Sequence, residues 1–350
     1  MKQAPKAKKI PFKLEKFGDV RIDNYYWLRE KDNPEVIEYL NAENSYFEAK
    51  TKAYKHLEKR LFEEMKSRIK EDDESVPVLE NDYFYQTKYL KGLEYPQYLR
   101  WKNTPEAKPE IFIDVNQLAE NHSFYHLTDL EVSPNNQLVV FGEDTTGRRQ
   151  YKLRIKNLKT GQFLKDEIPN TTGSAVWAND NQTLFYTKKD PVTLRAYRIY
   201  KHKLGTPVED DELVYEEKNE IYSAYVSKSK SNQYIYIISI STLTTEYQFI
   251  RADQPDEKFR IFSPRQQGVE YNLFHQNNHF LILTNIDKAV NFKLMKTSTE
   301  QTDSKHWKEL IPHRNDVLLE DVEVFNDFFI LEERKLGLNK LRVISDKDDL

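Results

Sequence analysis

The 350-residue sequence has no cysteine, nine glycines and no long apolar run. Without cysteine there can be no disulfides, thiolate metal sites or cysteine nucleophile, and the chain suits a reducing compartment. Nine glycines are too few for a phosphate-cradling loop, and no P-loop motif is present. No apolar run approaches the ~20 residues that span a membrane, so no membrane-spanning helix is expected here. The basic N-terminus lacks the apolar segment of a secretory signal, so we expect a cytoplasmic protein.

Charge is also balanced. Lys and Arg total 53 against 57 Asp and Glu, which gives a net charge of −4, and the two signs are interleaved. This balance gives no reason to expect nucleic acid or an anionic membrane as a partner. Neither a metal nor a cofactor is expected from the motifs present.

Aromatic residues, in contrast, make up 13% of the chain and suit half-buried strand faces. One pattern recurs: an apolar strand, a turn rich in Asn, Asp or Ser, and a second apolar strand. The clearest copy lies at residues 175–206, with strands predicted at Ser174–Trp177, Thr183–Lys188 and Ala196–Lys203. Six copies are marked by Phe84, Leu138, Leu184, Tyr234, Phe280 and Phe328.

The copies are spaced about fifty residues apart, a period typical of propeller blades with four strands each. A β-sandwich is the alternative, but it would not explain six regular copies. The sequence therefore predicts a mostly β fold, a β-propeller.

A different pattern precedes the repeats. Residues 1–19 are expected to form a mobile, extended basic arm, and the aromatic segment Arg21–Arg29 is expected to anchor it on another surface. Asn33 is a good helix N-cap with Pro34 at the first helical position, so residues 34–69 should form one long helix or two shorter ones.

The acidic run Glu71–Glu74 should end the helical segment as a solvated turn, and no convincing helix follows Val76. We therefore expect two domains, residues 1–75 with the arm and helices and residues 76–350 with the propeller. The helical segment is too small to bury both faces of its helices, so it should pack on the propeller or on a surface absent from this chain.

A meander places every loop between second and third strands on one face. These loops are predicted at 142–150, 188–195, 241–246, 285–291 and 332–339. Loops on a rigid scaffold often collect binding residues. Arg148 and Arg149 are the candidate substrate-facing residues, because guanidinium groups could face a peptide carboxylate or a neighbouring domain. Two solvated arginines at a turn are the alternative.

The sequence contains no recognisable catalytic motif. There is no G-x-S-x-G elbow, and the nearest match, Gly173–Trp177, lacks the second glycine. No H-E-x-x-H motif occurs, and His122 and His126 lack a supporting carboxylate, so no metal site is expected. His275 and His279 flank a predicted turn and are expected at the surface.

Several short segments form a recognisable set. The first are Arg21–Arg29 (RIDNYYWLR), Asn33–Val36 (NPEV) and Tyr39–Asn44 (YLNAEN). Others are RRQY at 148–151, VWAND at 176–180, DPVTL at 190–194, GTP at 205–207, LVYEEK at 213–218, ELIP at 309–312 and LEER at 331–334. Together they resemble the prolyl oligopeptidase family, and within it the oligopeptidase B branch. The resemblance covers essentially the whole chain.

The resemblance implies a cytosolic serine peptidase in which a seven-bladed propeller covers an α/β-hydrolase domain and admits only short peptides. It implies that the N-terminal helices belong to the hydrolase domain, the intramolecular partner. It further implies cleavage of short basic peptides after Arg or Lys, with acidic residues of the hydrolase domain holding the basic side chain.

The sequence departs from the family pattern because it is expected to stop within the sixth blade, after about five and a half blades. The catalytic triad and oxyanion hole would then lie beyond Leu350, so residues 1–350 contain no expected catalytic residue and should be inactive alone. Two alternatives stay open. The chain could be a free-standing propeller that binds peptides or proteins, or a non-functional truncated product.

Overall fold

The computed structural model describes residues 3–345. By its internal contacts the chain divides into two compact units, Met1–Asp73 and Glu74–Leu350. The domain limits expected from sequence, 1–75 and 76–350, remain a prediction.

The first unit opens with a hairpin of β1 (Phe12–Lys16) and β2 (Asp19–Asp23). The two-residue turn between them has positive φ at Phe17 (51°) and Gly18 (81°), as hairpins with the right-handed strand twist require. The prediction of a mobile, extended arm is therefore wrong for these residues. Trp27 is buried, and its indole Nε1 donates a 3.0 Å hydrogen bond to the Lys8 carbonyl.

Two helices follow, α1 (Pro34–Thr51) and α2 (Lys55–Ser67), separated by the single 3-10 turn Lys52–Tyr54. The Asn33 side chain accepts a 3.0 Å bond from the Glu35 N–H, which confirms the predicted cap. Helical structure ends at Ser67. Asp73 and Glu74 form the short strand β3 (Asp73–Glu74), so the prediction of a solvated acidic turn is wrong there.

Many apolar side chains of the two helices are exposed to solvent. They are Ile37, Leu40, Phe47, Leu57, Leu61, Phe62 and Met65. Phe47 is 65% exposed and Met65 is 61% exposed, although both side chains are largely apolar. Solvated helix faces are usually polar, so these helices expose an unusually large number of apolar side chains.

The second unit consists of antiparallel blades, each a meander. The first blade contains β4 (Val78–Glu80), β5 (Tyr83–Tyr89), β6 (Gln97–Lys102) and β7 (Glu110–Asp114). The five-residue helix α3 (Val115–Ala119) follows, capped by the Asp114 carboxylate. The prediction that no helix follows Val76 is wrong at this point.

The second and third blades share one long strand. They contain β8 (His126–Val132), β9 (Leu138–Asp144), β10 (Tyr151–Asn157), β11 (Phe163–Trp177), β12 (Thr183–Lys189), β13 (Ala196–Lys203) and β14 (Glu212–Glu216). The first part of β11 pairs with β10 and its last part pairs with β12. The predicted start of a strand at Ser174 is therefore wrong, because β11 runs unbroken between the blades.

A close backbone approach makes this crossing possible. A Cβ atom on Gly142 would lie 2.5 Å from the Gly173 Cα, and one on Gly173 would lie 2.4 Å from the Thr128 Cγ2. Gly173 also has a φ of +98°, which glycine adopts without strain. Both positions therefore require glycine.

The remaining strands form three more sheets. They are β15 (Ser223–Lys228), β16 (Tyr234–Ile240), β17 (Thr245–Arg251), β18 (Arg260–Ile261), β19 (Tyr271–Gln276), β20 (His279–Thr284), β21 (Lys293–Ser298), β22 (Lys308–Ile311), β23 (Leu318–Val324), β24 (Phe328–Lys335) and β25 (Leu338–Ser345). The predicted loop 332–339 is wrong, because only Leu336 and Gly337 turn the chain there. Both have positive φ, which closes a two-residue hairpin.

Each hydrophobic cluster joins two consecutive blades. Phe185 and Ile199 of the third blade, for example, pack with Val226 and Ile237 of the fourth. Between the fourth and fifth blades the cluster is mainly aromatic and is centred on Phe249, Phe262, Tyr271, Phe280 and Trp307. Aromatic residues therefore fill the wedge between blades, which explains their abundance in the sequence.

The Asn-rich turns between first and second strands bind one another from blade to blade. Asn81 Nδ2 donates to the Pro134 carbonyl (2.6 Å), and Asn179 Nδ2 donates to the Asn232 carbonyl (2.9 Å). The Asn135 N–H donates to Asn181 Oδ1 at 2.7 Å. The repeated polar turns predicted from sequence are thus interblade contacts. We call this end of the second unit the turn face.

Candidate functional site

The opposite end, which we call the loop face, carries the loops between second and third strands. In the structure these are residues 90–96, 145–150, 190–195, 241–244, 285–292 and 336–337. The candidate residues Arg148 and Arg149 lie in the second of these loops. The geometry of this loop is set by one carboxylate, that of Asp144.

Asp144 is 2% exposed and organises the loop around it. Its Oδ1 accepts from the Thr146 N–H (2.8 Å), the Thr146 hydroxyl (2.7 Å) and the Gly147 N–H (3.1 Å), and its Oδ2 accepts from the Arg149 N–H (2.7 Å). Burial opposes ionisation, but these hydrogen bonds outweigh it and lower the pKa of Asp144. The carboxylate therefore stays charged and fixes the backbone of the loop.

The loop holds both arginines outward. Arg148 and Arg149 are exposed, and Arg149 has a φ of +55°. Within residues 3–345 neither guanidinium makes a hydrogen bond or an ion pair. A fixed backbone with two unpaired guanidinium groups can bind a carboxylate without first breaking an internal ion pair.

A third cation lies beside them on the next blade. Lys189 Nζ donates a 2.6 Å bond to the Arg149 carbonyl and lies 5.4 Å from the centre of the Tyr151 ring. Burial and the nearby charge of Arg149 lower the pKa of Lys189. Arg148, Arg149 and Lys189 therefore form a basic group that spans the second and third blades.

The third-blade loop is built in a similar way. Asp190 Oδ1 accepts from the N–H groups of Val192 (3.0 Å) and Thr193 (2.7 Å) and from the Thr193 hydroxyl (2.9 Å). Arg195 follows five residues after the aspartate, as Arg149 follows Asp144. The guanidinium of Arg195 points inward, however, and donates to the carbonyls of Glu217, Asn219 and Tyr222.

Beneath this face a buried ionic network joins the third and fourth blades through Arg265, which lies in the connection from β18 to β19. Arg265 Nη2 donates to Glu217 Oε2 (2.7 Å) and Glu246 Oε1 (2.9 Å), and its guanidinium lies 4.2 Å from the Tyr222 ring centre. Burial opposes ionisation of Glu217, but the bond from Arg265 and neighbouring donors lower its pKa. The members of this network are distant in sequence, so no local sequence pattern reveals it.

The inner strands of the blades carry a second group of charges. The surface of Glu131 is exposed, but protein atoms on several sides of its carboxyl group displace much of the surrounding water. This desolvation and the nearby charge of Glu80 raise the pKa of Glu131 to about 7. Burial lowers the pKa of Lys228 to about 8, although Glu131 and Glu80 act against the shift. Lys228 Nζ also donates a 2.8 Å bond to Asn179 Oδ1.

The histidines are distributed through the fold. His126 Nδ1 lies 3.0 Å from the Tyr151 hydroxyl, and His122 is exposed. The prediction of a surface location is wrong for His275, which is 4% exposed because β19 packs it against Tyr234 and Phe280. Over residues 3–345 no group of three or more His, Asp or Glu side chains is placed to hold a metal ion.

Successive meanders joined by interblade cores and loops on one face define a β-propeller domain. The sequence matches the family "Prolyl oligopeptidase, N-terminal beta-propeller domain" over residues 5–350. The chain therefore belongs to the prolyl oligopeptidase family.

In sequence and in structure the chain is similar to oligopeptidase B and related peptidases. It is 39% identical to "Dipeptidyl aminopeptidase BI" of Pseudoxanthomonas mexicana over 93% of this chain and 47% of that protein. It is 32% identical to "Protease 2" of Moraxella lacunata over 98% of this chain and 50% of that protein. The structure of oligopeptidase B from Leishmania major matches with a TM-score of 0.91 and 31% identity, covering 99% of this chain and 52% of that one.

The chain thus spans about half the length of the relatives it matches. Within the described part of the chain, no helix is both long and apolar enough to cross a membrane.

Proposed function

We propose that this chain is the propeller part of an oligopeptidase B-like serine peptidase that cleaves short cytoplasmic peptides after Arg or Lys. The propeller limits access by size, and an α/β-hydrolase domain supplies the catalytic groups. The observation that carries this proposal is the match of almost the whole chain to about half of a known oligopeptidase B. Residues 1–350 alone are expected to be inactive.

The exposed apolar residues of α1 and α2 support a partner domain. Proteins in water rarely leave this many large apolar side chains of two neighbouring helices exposed. A hydrolase domain that covers this surface would remove Phe47, Phe62 and Met65 from solvent. The first unit would then belong to the catalytic part of the enzyme rather than to the propeller.

Arg148 and Arg149 would face the substrate in this arrangement. Their unpaired guanidinium groups on a fixed loop suit the carboxylate of a short peptide. If they bind it, Arg148→Ala and Arg149→Ala raise KM for peptides with a free C-terminal carboxylate and leave amidated peptides unchanged. Arg251→Ala is the matched control, because Arg251 is exposed at the turn-face end of β17 and its ion pair within residues 3–345 is with Asp253.

The decisive experiment isolates the protein from the cells that produce it, with an antibody against the sixth blade, and assays the captured material. We expect hydrolysis of Arg-amide and Lys-amide peptides, inhibition by a serine-directed reagent, and no cleavage of folded proteins. Purified 1–350 should show none of this activity. Cleavage by purified 1–350 that the reagent blocks would overturn the assignment of catalysis to another domain.

A second candidate comes from the 39% identity to a protein named dipeptidyl aminopeptidase. Such an enzyme would release dipeptides from a free N-terminus. The same captured material therefore receives a matched pair of peptides, one with a free amino group and one acetylated. Cleavage of both supports the oligopeptidase, and cleavage of the free peptide alone supports the aminopeptidase.

A further inference from the structure

His202 on β13 is completely buried between two carboxylates. Its Nδ1 lies 2.6 Å from Asp211 Oδ1, and its Nε2 lies 3.2 Å from Asp166 Oδ1. A neutral imidazole has a single N–H and would leave one nitrogen lone pair directed at a carboxylate oxygen. Donation from both nitrogens satisfies both carboxylates, and it requires the imidazolium form of the ring.

The surroundings hold this arrangement in place. Asp211 Oδ2 accepts a 2.7 Å bond from the Tyr186 hydroxyl of β12, and Asp166 Oδ1 accepts a 2.5 Å bond from the Gly205 N–H. The charged groups that act on His202 are Asp211 and Asp166, and Tyr186 acts through Asp211. Burial and Asp211 raise the pKa of Tyr186, so its hydroxyl remains a donor.

The contact also crosses a blade boundary. Asp166 lies in the part of β11 that pairs with β10 of the second blade, while His202 and Asp211 belong to the third blade. We propose that the His202 imidazolium is a proton-dependent lock between the second and third blades, and that loss of its proton releases the outer part of β11. The lock is remote from the basic group on the loop face.

The direction of the pH dependence follows from the charges. Burial disfavours the imidazolium, but the hydrogen bonds and charges of Asp211 and Asp166 outweigh it and raise the pKa of His202. A raised pKa in the folded state contributes stability that is fully present below the ordinary value of about 6.5. This contribution is lost as the pH rises through the raised pKa.

The first test is an NMR titration of the chain with labelled histidine nitrogens. We expect the His202 nitrogens to stay those of an imidazolium well above pH 6.5, the ordinary midpoint being about that value. His275 is the internal control, because burial lowers its pKa and it should be neutral at the same pH. A His202 that is neutral at pH 7 would overturn the proposal.

The second test measures amide hydrogen exchange at residues 163–168 and uses β20 of the fifth blade as the internal reference. From pH 6 to pH 10 we expect protection at 163–168 to fall about tenfold in the wild-type chain. His202→Gln should remove this pH dependence and Asp166→Asn should reduce it, while β20 should not respond. Equal dependence in wild type and His202→Gln would refute the lock. If the variants do not fold, the NMR titration of the wild-type chain alone tests the proposal.

Discussion

The loops of the second and third blades share a pattern of residues but use their arginines differently. In each, an aspartate is followed five residues later by arginine and seven residues later by tyrosine: Asp144, Arg149 and Tyr151 in one, Asp190, Arg195 and Tyr197 in the other. The aspartate binds backbone N–H groups in both loops. Arg195 points into the interface with the fourth blade, whereas Arg149 points into solvent.

The difference comes from what each arginine can reach. Beside Arg195 the connection from β14 to β15 presents the carbonyls of Glu217, Asn219 and Tyr222. Beside Arg149 the neighbouring blade presents Lys189, a cation whose Nζ donates a hydrogen bond to the Arg149 carbonyl. The like charges of Lys189 and Arg149 repel each other, so this blade offers the Arg149 guanidinium no acceptor. The same local pattern thus yields a structural arginine in one blade and an available one in the other.

The largest effect is expected when Arg195 is replaced. Arg195→Ala removes the donors that join the third and fourth blades and deprives the partly buried carbonyl groups of Glu217 and Tyr222 of the guanidinium. The free energy of unfolding should fall by about 2–4 kcal/mol. Urea unfolding followed by tryptophan fluorescence measures it. Arg195→Lys, which lacks the forked geometry, should recover less than half of the loss. A loss below 0.5 kcal/mol for Arg195→Ala would contradict its structural role.

A smaller effect is expected for Asp144. Asp144→Ala leaves the N–H groups of Thr146, Gly147 and Arg149 without their acceptor and should cost about 1–3 kcal/mol of unfolding free energy. Asp190→Ala should cost less, because Asp190 is at the surface, where water replaces its bonds. Urea unfolding of both variants gives the comparison. Equal losses would mean that burial does not distinguish the two loops.

The repeated blades were predictable from the sequence because each blade repeats the same two signals. The polar turns and the apolar second strands at Leu138, Tyr234 and Phe328 recur in register with the period of the fold. The Asn residues of the turns also have a chemical role, since their side chains donate hydrogen bonds to backbone carbonyls of the next blade. Local pattern and tertiary contact agree there.

The environments of the arginines were not predictable in the same way. Arg148 and Arg149 were identified as candidates, but the sequence could not show that Arg195 meets carbonyl groups of another blade. The same limit applies to His275 and to His202, whose partners lie in other strands. Aligning the two loops on their aspartates would have revealed the shared pattern, though not the different partners.

Acid should weaken the contribution of Asp144 to stability. The pKa of Asp144 is lowered in the folded protein, so its contribution is present above the ordinary value of about 3.9 and is lost as pH falls through the lower folded value. The difference in Tm between wild type and Asp144→Ala should therefore be constant from pH 7 to pH 5 and should shrink below pH 4. A difference that grows in acid would have the wrong sign and would contradict the assigned charge.

The smallest effect on stability is expected at Arg149. Arg149→Ala removes a solvated side chain whose guanidinium makes no hydrogen bond or ion pair within the described residues, so the free energy of unfolding should change by less than about 0.5 kcal/mol. Urea unfolding beside Arg195→Ala makes the contrast direct. The same variant should still raise KM for carboxylate-bearing peptides in the complete enzyme. A large loss of stability at Arg149 would show that both loops use arginine structurally, and it would remove the reason to assign a substrate contact to the second blade.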